Sequence, residues 1–109
     1  SSLISSMGEL NTIVKQQVVV NVASGSSFTN INVTFPYIGW NSVPNTFTEI
    51  SAVSITGQSD ATLFTARTYS RTSTGCTLRV AYSQAAAAAG TVTVDLYIIG
   101  TVRGVLTPV

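Results

Sequence analysis

The sequence predicts an all-β domain, a six-stranded antiparallel β-sandwich preceded by a short N-terminal helix. Three observations lead there. From residue 17 onward, apolar residues alternate with Ser, Thr and Asn at a period of two, the signature of half-buried strands. These runs are short and are separated by connections rich in Gly, Ser, Pro and Asn. Only 8% of the residues are charged while 45% are hydrophobic, so the outer faces must be clothed mainly in hydroxyl and amide side chains.

The first element has a different period. Leu3, Met7, Leu10 and Val14 are spaced four, three and four apart, a heptad seam that Ile4 and Ile13 widen. Ser1, Ser2, Ser5 and Ser6 are poor helix formers, and Gly8 costs about 1 kcal/mol relative to Ala. So short a helix is marginal by itself in water. Copies of the chain would hold it as the last turns of a coiled-coil shaft; otherwise it folds back on its own domain or frays. The expected division is a helix over residues 1–15 and a β-sandwich head over 16–109.

The strands follow in order. QVVVNV places Val18, Val20 and Val22 on one side, and FTNINVTF sets Ile31, Val33 and Phe35 against Asn30, Asn32 and Thr34. TFTEISAVSIT has mixed faces, which points to a bulge. ATLFTARTY comes next, then CTLRVAYS with Cys76, Leu78, Val80 and Tyr82 aligned. TVTVDLYIIGTV closes the series, with Val92, Val94, Leu96 and Ile98 opposite Thr91, Thr93, Asp95 and Tyr97. Phe28, Phe35, Phe47 and Phe64 are expected in the core. Ala85–Ala89 favours helix but is too short to sustain one between strands, so it reads as a tight loop or single turn. The apolar tail after Arg103 and Gly104 is expected to pack against something.

Composition excludes several functions. A chain of 109 residues suits one domain that buries about two thirds of its unfolded surface, so association would add to a modest stability margin. Net charge is +1 and the five Lys and Arg are scattered, whereas nucleic-acid binding needs them clustered. No apolar run is long enough for a membrane span, and no signal peptide is visible. The single cysteine, Cys76, allows no intrachain disulfide and reads as a small buried hydrophobe. The absence of histidine removes Ser-His and Cys-His catalysis and the commonest zinc and iron sites. No metal or cofactor is expected. The chain starts at Ser1, which reads as a fragment or a processed product.

Few side chains are left to carry chemistry. The acids are Glu9, Glu49, Asp60 and Asp95, and nothing in their spacing recommends the paired carboxylates of a glycosidase. Arg67, Arg79 and Asp95 fall on polar strand faces, where they pair across strands or subunits, or where an arginine meets a ligand. Trp40 lies in the polar loop PYIGWNSVPN; it either stacks on a sugar ring or plugs the end of the sandwich. Tyr82, followed by Ser83 and Gln84, ends a strand at an edge suited to a small polar ligand.

The runs NINVTFPYIGWNSVP, AVSIT, ARTYSRTSTGCTLRVAYS and VTVDLYIIG, in this order and spacing, resemble the H-type lectin family. The resemblance implies a six-stranded sandwich that assembles as a parallel homotrimer and, in the lectins, binds sugar between protomers. The sugar-binding groups do not carry over. Leu63 stands where the lectins have an arginine on the fourth strand. Ser83 and Gln84 replace an aromatic and an imidazole after the fifth strand, and Ser26 lies where an acid is expected. A saccharide would then fall to Trp40, Arg79, Tyr82, Ser83 and Gln84. A short coiled coil feeding a Ser/Thr-rich β knob also resembles the tip of bacteriophage tail fibres and baseplate receptor-binding proteins. Together the resemblances imply a non-catalytic trimeric tip domain on the virion tail, extracellular in use. It would bind host cell-surface saccharide and join other tail proteins through its N-terminus. Two alternatives stand beside this: a purely structural trimerisation or virion-protein-binding knob, and an H-type lectin outside viruses.

Overall fold

The computed structural model describes residues 9–36, 38–59 and 62–103. It contains six strands: β1 (Glu9–Val22), β2 (Phe28–Thr34), β3 (Asn45–Ile55), β4 (Phe64–Tyr69), β5 (Gly75–Tyr82) and β6 (Gly90–Arg103). They form two antiparallel three-stranded sheets, in the orders β1–β6–β3 and β2–β5–β4. The strands expected from alternation are all present. No helix occurs among the described residues.

The inner faces meet in one core. Central strands β5 and β6 contribute Cys76, Leu78, Val80 and Tyr82 from one sheet and Val92, Val94, Leu96 and Ile98 from the other, all buried. Val18, Val20, Val22, Val33 and Ile55 join it from the edge strands, and Phe35 and Ala86 from the loops after β2 and β5. Full burial of a side chain such as Leu78 or Leu96 is worth roughly 1.5–3 kcal/mol relative to exposure, so these central strands hold the sheets together. At one sheet edge, Thr48 Oγ1 donates to Ala66 O at 2.6 Å and the Thr46 and Thr68 hydroxyls bond each other, tying β3 to β4.

The expected helix over residues 1–15 does not occur where it can be followed. Residues 9–15 belong to β1, which pairs with β6 along its whole length, from Glu9 opposite Arg103 to Val22 opposite Gly90. Leu10 and Val14 of the supposed seam are therefore strand residues, and Val14 packs against the sandwich core. Leu3 and Met7 lie outside the described residues. The physical reason is that Thr12, Ile13 and Val14 are β-branched and favour strand, and β6 offers them a full hydrogen-bonding edge. The first heptad turns could offer them only a partner helix.

The bulge expected in the third strand lies between Ile50 and Ala52. It reverses the parity of β3. Phe47 and Glu49 point outward before it, whereas Val53 and Ile55 pair with Val92 and Gly90 after it. Two of the four phenylalanines expected inside are outside: Phe28 is 53% and Phe47 57% exposed. Each shares parity with polar neighbours, Phe28 with Asn30 and Asn32, Phe47 with Asn45 and Glu49. Phe35 is buried, and Phe64 packs against the core.

Candidate functional site

The residues expected to hold a ligand divide among three places. Trp40 sits beneath the end of β6, forming a backbone bridge with Val102. Its Nε1 donates to Pro36 O at 3.2 Å, and Asn41 N donates to Thr101 O at 2.9 Å. Gly100 makes this possible: a Cβ there would lie 2.9 Å from both Trp40 Cζ3 and Pro44 Cβ. The loop thus closes the stretch of β1–β6 that runs past β2–β5–β4, and Trp40 is a plug packed on the core.

Tyr82, Ser83 and Gln84 lie at the other end, where β5 leads into β6. Twelve residues of β6 separate the two ends, roughly 40 Å at strand rise, so Trp40 and Tyr82 cannot share one saccharide subsite. Tyr82 is an inner-face residue, 7% exposed. Its hydroxyl bonds Ser26 Oγ at 2.9 Å and Thr29 Oγ1 at 3.3 Å, and its ring contacts Phe64 at 5.6 Å. Ser83 is engaged with Leu63, donating from N to its carbonyl at 3.0 Å and accepting its N–H through Oγ at 2.9 Å. Gln84 is exposed. A shallow recess of about 250 Å³ lies here, lined by Leu63, Thr65, Ala81, Tyr82 and Ser83. A second of about 380 Å³ opens between the β3 and β4 edges, against Val53, Ile55, Gln58, Ser59, Thr62 and Phe64. Gln58 spans its rim, donating to Thr62 Oγ1 at 3.1 Å and accepting Ala87 N at 3.0 Å.

Arg79 occupies the third place, the outer face of β2–β5–β4. Its Nε donates to Asn30 Oδ1 at 2.8 Å. Its guanidinium carbon lies 4.8 Å from the Phe28 ring centroid and 5.3 Å from that of Tyr69, a cation between two aromatic rings. Arg67 stands directly opposite Arg79 in the β4–β5 register. The expected opposite-charge pairing across these strands is therefore replaced by a like-charge pair. Arg79 and Tyr82 belong to opposite faces of their sheet. Sequence places Phe28 in the core and does not name Tyr69 or Asn30 as ligand residues, although the even numbering of Phe28 with Asn30 and Asn32 sets it on the polar side. The turn joining β4 to β5 is shaped by Ser70, at φ 53°, and by Thr72, whose hydroxyl accepts the N–H groups of Thr74 and Gly75, each at 3.2 Å.

The other outer face carries Asp95. Though it lies on the solvent side of β6, it is 7% exposed. Glu49 faces it directly from β3, and Lys15 Nζ approaches its Oδ2 at 3.7 Å. Asp95 Oδ1 is buried with no hydrogen-bond partner among the described residues. The two carboxylates lie on a sheet face, and neither lines either recess. Inside the sandwich, burial pushes the Cys76 thiol above its ordinary value, with the charge of Arg71 acting weakly the other way.

No protein-family profile matches the chain, and no curated protein matches it. Solved structures do. The tailspike gp61 of Pseudomonas phage phi297 aligns over 83% of this chain with a TM-score of 0.61 at 18% identity. The Gp54 tailspike of Acinetobacter baumannii bacteriophage AP22, solved in complex with A. baumannii capsular saccharide, aligns over 86% with a TM-score of 0.63 at 10% identity. The fold is thus one found in phage tailspikes. The chain spans only 15% and 17% of the length of those two proteins.

Proposed function

We propose that the chain is a receptor-binding domain of a phage tail appendage, a homotrimeric and non-catalytic head that attaches the virion to bacterial surface saccharide. The observation that carries this reading is the fold shared over most of the chain with two phage tailspikes, one of them bound to capsular saccharide. The H-type lectin resemblance agrees with it in strand count and sandwich form. Binding without chemistry is supported by the placement of Glu49 and Asp95, directly opposed on one sheet face with Lys15 against Asp95 instead of across a cleft. Three heads per appendage and several appendages per particle raise avidity by orders of magnitude over one weak site.

The outer face of β1–β6–β3 is the surface that would meet the other protomers. Ile13, Val19 and Phe47 stand 50–66% exposed there, in the same sheet rows as Ile99, Thr93 and Tyr97. The unpartnered Asp95 Oδ1 in their midst matches a face completed by a donor from another copy.

The test is retention of the protein by capsule and cell-wall fractions of candidate hosts, with the fractions analysed for chain length afterwards. Retention with unshortened polysaccharide is expected. Shortened chains would show a hydrolase, and failure to bind any fraction would remove the attachment role. A second reading, a structural knob binding another virion protein, is favoured by the small share of each tailspike that the chain covers. It predicts capture of a virion component in place of host wall. An H-type lectin outside viruses is separated by the source of the glycan bound.

A further inference from the structure

We propose that the outer face of β2–β5–β4 binds an acidic saccharide, with the Arg79 and Arg67 guanidinium groups holding its carboxylate and the Phe28 and Tyr69 rings lying against its sugar faces. The inference rests on the attachment role proposed above and names the chemical class of its ligand.

Strand register builds the site. In this sheet the outward residues form three rows: Phe28, Ala81 and Thr65; Asn30, Arg79 and Arg67; Asn32, Thr77 and Tyr69. The middle row is cationic, and an aromatic ring stands in each flanking row, at opposite corners of the patch. From the Phe28 row to the Tyr69 row is four residues of β2, roughly 13 Å at strand rise. The patch is therefore an extended surface suited to a polymer and not a closed pocket.

Charge supports one kind of occupant. Like charges directly opposite on neighbouring strands cost stability, and no acid is present in β2, β4 or β5 to offset them. The described acids Glu9, Glu49 and Asp95 all belong to the other sheet. Arg79 is held in place by Asn30 and the two rings, with only Nε spent, so its terminal nitrogens stay free to donate. Arg67 is exposed and makes no hydrogen bond or ion pair among the described residues. Two arginines directly opposite in register match a carboxylate, which Arg binds through paired hydrogen bonds. The exposed Phe28 ring and the Tyr69 ring offer the apolar surface that the carbon face of a pyranose needs. Asn32 and Thr77 supply donors and acceptors for hydroxyls beside them, with Thr77 Oγ1 donating to Asn32 Oδ1 at 3.4 Å. A neutral glycan would leave both guanidiniums uncompensated.

The experiment uses a panel of purified capsular polysaccharides, acidic and neutral, immobilised and titrated with the protein. Any acidic binder is tested again after its carboxyl groups have been reduced to alcohols. Binding is expected to be confined to acidic members and to fall about tenfold or more on carboxyl reduction, the loss of charged hydrogen bonds. Arg67→Ala should weaken binding similarly. Arg79→Lys, which keeps the charge but loses the fork, should weaken it also. Because removing Arg67 relieves repulsion, its variant should melt no lower than the parent. Binding to a neutral polysaccharide, or to the carboxyl-reduced one at full strength, overturns the acidic assignment while leaving the attachment role standing. Full-strength binding by the folded Arg67→Ala variant does the same. A fall in sedimentation mass on Arg67→Ala also overturns it, since the arginines would then face acids of another copy. Binding to no member at all removes the attachment role with it.

Discussion

Each outer face of the sandwich sets two like charges directly opposite one another, Glu49 with Asp95 on β3–β6 and Arg67 with Arg79 on β4–β5. The faces treat them differently. In the acid pair Asp95 is buried and answered within the chain by Lys15, Glu49 is exposed, and Ile13, Val19 and Phe47 stand exposed on the same face. In the base pair Arg79, half-buried, is answered only by an amide and two rings, and Arg67 is exposed. A buried, half-satisfied carboxylate on a face that also exposes Ile13, Val19 and Phe47 fits a surface completed by protein. Accessible guanidiniums on a polar sheet fit a surface completed by a soluble anion. Alternation alone separates inside from outside; what an outer face meets depends on which outward residues lie in the same row.

The largest effect that would break this contrast is on assembly. Phe47→Asp should reduce the sedimentation mass at micromolar concentration to that of one chain, whereas Asn32→Asp on the other face should leave the mass unchanged. Equal responses would erase the distinction between the faces. Next comes Trp40→Ala, expected to cost about 3 kcal/mol in urea unfolding, the low end for aromatic truncation because the ring is only partly buried. Saccharide affinity of the folded variant should be unchanged; a selective loss of affinity with full stability would return Trp40 to the binding surface. Smaller again is Tyr82→Phe, which removes the hydroxyl shared with Ser26 and Thr29 and should cost about 1 kcal/mol.

The smallest effect is a pH dependence. Burial raises the folded-state pKa of Cys76. The folded chain then keeps the thiol proton after the unfolded chain has lost it, so the thiol term is fully favourable below the ordinary thiol value. It is lost as pH climbs from there toward the raised folded value. Stability should decline over that alkaline window, and Cys76→Ala should flatten the decline while lowering stability at neutral pH through the lost packing. A decline of the same steepness in the variant would assign it to other groups.

Much of the fold was legible in sequence because a period of two imposes itself wherever one face is buried. Val92, Val94, Leu96 and Ile98 announce the central strand without ambiguity, and the mixed faces of residues 46–56 announce the Ile50–Ala52 bulge. Residues 9–15 are strand where the heptad spacing suggests helix, because Leu10 and Val14 fit a period of 3.5 as well as a strand extended to meet β6. Phe28 and Phe47 were assigned by hydrophobicity when parity with Asn30 and Glu49 placed them outside. The proposed site was only partly legible: Arg79 could be named, but its neighbours are distant in sequence.

Composition and alternation by themselves determined an all-β domain with six strands, polar outer faces and no histidine-based chemistry, because burial of one strand face is a local pattern that each segment carries alone. Register and sheet order were decided only in the folded chain. They depend on which strands share hydrogen bonds across many residues, as when the first strand pairs with the last along its full length. That same pairing sent Trp40 to one end of the sandwich and Tyr82 to the other. Register placed Arg67 opposite Arg79, and Arg79 between two aromatic rings, because side chains on neighbouring strands become neighbours only once the strands are aligned.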